Sequence, residues 1–123
     1  MKAAIKTRVL VVSDDTPSAA RLVSFLSSSN YDACCCAGLD RIADAIERWR
    51  PHVMVLAPLR EGDRHAQLEQ LRSLYPSMPV VILTMEDDQE LLLDLEAFAP
   101  TLPATPSRGL RHIASTIAAA SLM

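Results

Sequence analysis

The chain has 123 residues, with 12 Lys+Arg against 15 Asp+Glu for a formal net charge of -3, and it is 50% apolar but only 4% aromatic. That length suits one domain spanning residues 1–123, large enough to bury a core without disulfide staples, and the core has to be made of Val, Leu, Ile and Ala instead of rings. Mild acidity argues against a nucleic-acid surface, which needs clustered Lys and Arg, and no apolar run approaches the roughly 20 residues that span a bilayer.

Lys2, Lys6 and Arg8 form a basic cluster that reads as a solvated tail. The apolar run after them is stopped by Asp14 and Asp15, too soon for the core of a signal peptide. Arg8 to Ser13, RVLVVS, is a β-branched run of the kind found in strands buried on both faces. Asp14-Asp15-Thr16-Pro17 is a polar turn with capping residues and a proline near a helix start. Leu22, Phe25 and Leu26 then recur at helical spacing. A second strand is predicted over Tyr31 to Ala37, ended by Gly38.

That strand contains Cys34, Cys35 and Cys36, an odd number of adjacent residues that cannot easily pair with one another. They read as small apolar strand residues in a reduced compartment, and no further Cys or His cluster completes a zinc site. A cytoplasmic location is therefore expected.

Leu39, Ile42, Ala43 and Ile46 form the stripe of a second helix, with Trp49 near its end and Pro51 closing it. The third strand runs over His52 to Ala57, in VMVLA, and Gly62 breaks the loop after it. Leu68, Leu71 and Leu74 or Tyr75 mark a third helix, and Met78 to Thr84, MPVVILT, is a fourth buried strand. Glu86, Asp87 and Asp88 place negative charge where a helix N-terminus welcomes it, and ELLLDLEAF continues that helix. A short fifth strand near Thr101 to Ala104 holds Pro103, which an edge strand tolerates. Ser107 to Met123 reads as a last helix with Leu110, Ile113 and Ile117 inward. Met123 follows that helix with no linker visible, which leaves open whether the chain is whole or one module.

Strands alternating with helices imply an α/β fold, a parallel sheet covered on both faces and wound right-handedly. RVLVVSDD, RPHVMVLA, MPVVILT and ATPSRGL moreover fall in the order and spacing of the receiver domain of bacterial response regulators, and the chain resembles this CheY-like family from about Arg8 to Ala120. The resemblance implies a flavodoxin-like, five-stranded sheet of order 2-1-3-4-5, with a site at the carboxyl ends of strands one, three and four.

Receivers carry two acids after strand one that hold magnesium, an Asp ending strand three that accepts a phosphoryl group, a Thr or Ser ending strand four, and a Lys before a proline after strand five. An ungapped match places Ser13 and Asp14 at the acidic positions; a one-residue slide would offer Asp14 and Asp15 but disturb the helix pattern of Leu22, Phe25 and Leu26. The phosphoacceptor position is Ala57, which has no nucleophilic atom, and Pro58 follows it. Thr84 matches, while the Lys position is Thr105, followed by Pro106 across a bond expected to be cis.

The resemblance therefore implies a degenerate receiver, or pseudo-receiver, without phosphotransfer, enzyme activity, cofactor or bound metal. Asp63, His52, His65 and His112 read as capping, structural or surface residues. In the family, the fourth helix, fifth strand and fifth helix contact partners. Here that face would comprise Leu91, Leu92, Leu95, Leu102, Arg108 and Arg111, docking a partner protein or a second copy, with no role in nucleic-acid or membrane binding. Four leucines, Leu91, Leu92, Leu93 and Leu95, give more apolar width than one buried stripe needs. An alternative is a small polar ligand in a pocket lined by Ser13, Asp14, Ala57, Thr84 and Thr105; a phosphoryl-accepting regulator is the third reading.

Overall fold

The computed structural model describes residues 6–59, 62–85 and 88–123. Its β-branched runs form the strands β1 (Arg8–Val12), β2 (Asp32–Cys36), β3 (Val53–Leu56), β4 (Val80–Leu83) and β5 (Thr101–Ala104). All neighbouring strands are parallel, in the order β2-β1-β3-β4-β5, so the fold is the flavodoxin-like one expected. β1, β3 and β4 are buried almost throughout, as inner strands covered on both faces must be. Pro103 lies on the outer strand β5, which has no further strand to receive its missing N–H.

The helices are α1 (Thr16–Ser28), α2 (Ile42–Trp49), α3 (Arg64–Leu74), α4 (Gln89–Leu93) and α5 (Leu110–Ala120). Because side chains alternate across a strand, the sheet divides its core between two faces. Val9, Val11, Val53, Val55 and Val81 pack with Ala19, Leu22 and Leu26 of α1 and Ile113 and Ile117 of α5. Leu10, Val12, Met54, Leu56 and Ile82 pack with Ile42 of α2, Leu68 and Leu71 of α3, and Leu91 of α4. Each such fully buried side chain contributes about 1.5–3 kcal/mol, which is how a core nearly without rings suffices.

Several elements differ from their sequence reading. The second helix buries Ile42 and half-buries Ile46 as expected, but Ala45 takes the place of Ala43, which is exposed, and Leu39 to Arg41 form a 3-10 turn before it. ELLLDLEAF is not one helix: α4 ends at Leu93, and Leu95–Phe98 is a 3-10 segment. Pro100 ends the second segment. A residue before proline is driven out of the helical region, and Ala99 is extended at φ -59, ψ 144. The 3-10 segment brings Leu95 and Phe98, three apart, onto one buried side. The last helix begins at Leu110, behind a 3-10 turn Pro106–Arg108 and Gly109 at φ 99. Among the described residues the cis bond is Ala99–Pro100, and Thr105–Pro106 is trans; Pro106 opens a helical turn, where a trans proline is pre-shaped to fit. Glu86 and Asp87 lie outside the described residues, as does Lys2.

Two arginines tie elements together. Arg8 is no solvated tail: its Nε donates to the carbonyls of Trp49 and Arg50 at 3.0 Å each, closing the C-terminus of α2 where Arg50 turns left-handed at φ 53. Its amide donates to His52 Nδ1 at 2.9 Å. Arg72 of α3 reaches the far end of the sheet and donates to the carbonyls of Phe98, Tyr75, Met78 and Pro100 and to Thr101 Oγ1. Burial lowers its guanidinium pKa, so a dense set of acceptors is the counterweight to its lost hydration.

Candidate functional site

Parallel strands deliver their carboxyl ends to one edge, and the residues after β1, β3, β4 and β5 are Ser13, Ala57, Thr84 and Thr105. Backbone bonds hold them in line. Ser13 N donates to Cys36 O at 3.1 Å, Ala57 N to Val12 O at 2.9 Å and Thr84 N to Ala104 O at 2.9 Å. Ser13, Ala57 and Thr84 are all buried. Ala57 is counted into the apolar cluster beneath α1 and α5, so the tip of the middle strand is absorbed into the core.

The acidic residues after β1 have separate fates. Asp15 caps α1, its carboxylate accepting from Ser18 N at 3.4 Å and Ser18 Oγ at 2.8 Å. Its own amide donates to Ser13 Oγ at 3.1 Å, which turns the buried Ser13 hydroxyl toward the loop. Asp14 is half-buried between them. Thr84 Oγ1 donates to Ala104 O at 3.3 Å and lies 3.5 Å from Thr105 Oγ1, so the hydroxyls after β4 and β5 face each other.

A cation enters from a position the sequence reading passed over. Arg64, the first residue of α3, is held at 15% side-chain exposure, paired with the carboxylate of Asp88 and donating through Nη2 to Leu83 O at 2.8 Å. Burial lowers its pKa, and the Asp88 charge opposes that shift. Its Nε is buried with no hydrogen-bond partner among the described residues. Asp88 also accepts from Met85 N at 2.7 Å. Asp63, just before Arg64, caps α3 through His65 N at 3.2 Å, and His65 Nε2 lies 3.3 Å from Asp94 with its ring edge-on to Phe98.

Beside Thr84 and Thr105 a groove of about 500 Å³ is lined by Met85, Gln89, Leu92, Pro106 and Ser107. Ser13, Asp14 and Ala57 do not line it. On the neighbouring face, Leu92 and Leu93 of α4 are exposed at 40% and 84%, and Met85 at 56%. Leu91 and Leu95 are buried at 2% and 8%, four residues apart on one face, so they belong to the core and are unavailable to a partner. Leu102 is half-buried, and Arg108 and Arg111 are exposed.

Cys34 and Cys36 lie on the face beneath α2, packed against its core, while Cys35 is exposed. Burial, then the neighbouring thiols and Asp40, pushes the Cys36 thiol up to about 11. Among the described residues, no three His, Cys, Asp or Glu side chains gather into a metal-holding group, and no helix is long and apolar enough to cross a membrane.

No protein-family model matches the chain, and no curated protein matches it. Solved structures do. The non-phosphorylated HemR receiver domain from Leptospira biflexa superposes with a TM-score of 0.81 at 16% identity, covering 96% of each chain. A CheY-like response regulator receiver domain protein from Methanospirillum hungatei gives 0.78 at 20% identity over 95% of this chain and 94% of that one. A two-component response regulator from Clostridium difficile gives 0.77 at 18% over 94% and 95%. The fold is that of the receiver domains of two-component signalling proteins.

Magnesium, which such a fold implies, was tested against the donors present. It requires hard oxygen ligands, usually carboxylates shared with phosphate. Ala57 offers no oxygen in its side chain and Asp15 accepts from Ser18 at the α1 cap; Asp14 stands half-buried beside them, and among the described residues no further Asp or Glu joins it to make a metal-holding group. The residues do not fit the ion.

Proposed function

We propose that this receiver fold works as a pseudo-receiver: a phosphorylation-independent, non-enzymatic signalling domain that acts by protein contact. The observation that carries the reading is Ala57, buried at 8% exposure at the tip of β3. An acyl phosphate forms by attack of a carboxylate oxygen on phosphorus, and this tip has none. Thr105 replaces the fixed cation that would steady the transferred group's charge, and the magnesium donors do not assemble.

The contact face is the one around α4, β5 and the start of α5. Exposed Leu92, Leu93 and Met85 supply apolar area. Glu90, Asp94 and Glu96 are exposed along the α4 segment, and Arg108 and Arg111 at the start of α5. A face with acid on one side and base on the other is self-complementary about a twofold axis, which favours a second copy as the partner. Location in the cytoplasm is part of the same proposal.

The test has two arms. Acetyl phosphate with magnesium leaves the mass of the protein unchanged; the gain of one phosphoryl group, mapped to an Asp, refutes the reading. Light scattering over rising concentration shows association, which Leu92→Glu with Leu93→Glu abolishes; a monomer at every concentration refutes the self-association. The groove beside Thr84 and Thr105 favours a second reading, an uncharged small ligand held by hydroxyls and an amide. Screening neutral metabolites for a rise in melting temperature decides it.

A further inference from the structure

Arg64 is a charged group sunk into the molecule, and no step of the proposed function uses it. Buried charge is costly unless its geometry is well satisfied, so what it holds is informative. Its guanidinium grips the Leu83 carbonyl, one residue before Thr84, and the Asp88 carboxylate, which in turn accepts from Met85 N, one residue after Thr84. The three contacts close a ring around Thr84, whose own hydroxyl donates to Ala104 O. The Asp88 carbonyl accepts from Leu92 N at 3.0 Å, so the ring continues into the backbone of α4.

We propose that Arg64 and Asp88 form a latch that fixes the end of β4, Thr84 and the start of α4 in one arrangement. α3 supplies the cation, β4 the carbonyl and the residue before α4 the carboxylate, so the latch adds a polar tie to three elements that already share a buried apolar cluster. At 15% side-chain exposure the guanidinium keeps both of its grips inside the fold, an arrangement that a purely solubilising arginine would avoid by turning to water. The latch itself stands independently of the pseudo-receiver reading. Its consequence, that the exposed α4 leucines are held out permanently, rests on that reading.

Native-state hydrogen exchange by NMR tests it on the full chain. In Arg64→Met, which keeps the length of the side chain without its charge, the Met85 amide exchanges about ten- to a hundredfold faster, the scale of losing charge-assisted hydrogen bonds. The amides of Val11 and Val55, in the middle of the sheet, keep their rates apart from any change in global stability measured by urea. Asp88→Asn gives a smaller acceleration, and the double variant exchanges no faster at Met85 than Arg64→Met alone, since both substitutions open the same ring. An unchanged Met85 rate overturns the latch. So does acceleration in step with Val55, which means global loosening, or multiplication of the two single effects, which means independent roles. Should Arg64→Met fail to fold, Asp88→Asn and Arg64→Lys, with their double variant, give the same readout. Phosphoryl transfer and self-association do not enter it, so failure of the latch and failure of the proposed function remain separate results.

Discussion

Replacing Arg72 with Met removes five hydrogen bonds at once and keeps most of the side chain's bulk. Its Nε donates to Phe98 O at 2.7 Å, Nη1 to Tyr75 O at 3.1 Å and Met78 O at 2.6 Å, and Nη2 to Thr101 Oγ1 at 2.9 Å and to Pro100 O. A hydrogen bond contributes about 0.5–1.5 kcal/mol net, so five would give about 2.5–7.5 kcal/mol if they added. They do not add, because one side chain makes them all, and Arg72 is only half-buried, so water reaches part of what it leaves behind. About 3–4 kcal/mol is the resulting loss, a large share of the roughly 5–15 kcal/mol that holds a domain together. With a urea dependence of about 1–3 kcal/mol per molar, the unfolding midpoint falls by about 2 M. Arg72→Lys, with three donors and no planar fork, loses about 2 kcal/mol. A loss under about 1 kcal/mol for Arg72→Met, with the Thr101 region equally protected from exchange, would refute the claim that this arginine holds the 3-10 segment and β5 in place.

Ala57→Asp puts a carboxylate at a site 8% exposed and counted into an apolar cluster; stability falls by about 1–3 kcal/mol, and acetyl phosphate with magnesium still adds no phosphoryl group by mass spectrometry. Recovery of phosphorylation from that one change would mean the rest of the site is intact. Alkylation at pH 8 modifies Cys35 first, because it is exposed, whereas Cys36, its thiol pushed up to about 11, reacts at an appreciable rate only as the pH nears that value; peptide mapping that finds Cys36 first sinks the assignment. The raised thiol also has a linkage consequence: its stabilising effect is complete below the ordinary value of 9.0 and fades as the pH climbs toward about 11, since the unfolded chain ionises first. Cys36→Ala therefore shows a flatter decline of urea midpoint over that window.

The sheet was legible because its strands are continuous apolar runs. VLVV, VMVL and VVIL need no partner to be recognised, since burial on both faces leaves no polar residue in them. The position of Ala57 followed from the same runs, because a parallel strand's last residue fixes where its loop begins. What failed to show in sequence depended on contacts across the fold. Leu91 and Leu95, four residues apart on one helical face, are the buried pair and Leu92 and Leu93 the exposed one, but four leucines in five positions hide which face turns to the sheet until the packing partners are known. Arg8 reads as part of a solvated tail, and Arg64 and Arg72 are passed over, because most of their acceptors are carbonyls or carboxylates lying 19 to 42 residues away in sequence. The expected cis bond went to Ala99–Pro100 instead of Thr105–Pro106, both of which are X–Pro pairs flanking β5.

In the proposed pseudo-receiver, a tip of β3 without a carboxylate alters more than one reaction. A charged tip must stay wet, and the loops around it must part to admit a phosphoryl donor. A methyl tip joins the core, as Ala57 does, and Leu59 two residues on packs against the opposite cluster. On the pseudo-receiver reading proposed above, no covalent event tilts the domain between two arrangements, and any ligand can shift such an equilibrium only by its difference in affinity for the two. The proposed Arg64–Asp88 latch would then bias the domain toward one arrangement before a partner arrives. A partner meeting the α4 face would spend none of its affinity on selecting that arrangement, and regulation would be exercised through how much partner is present.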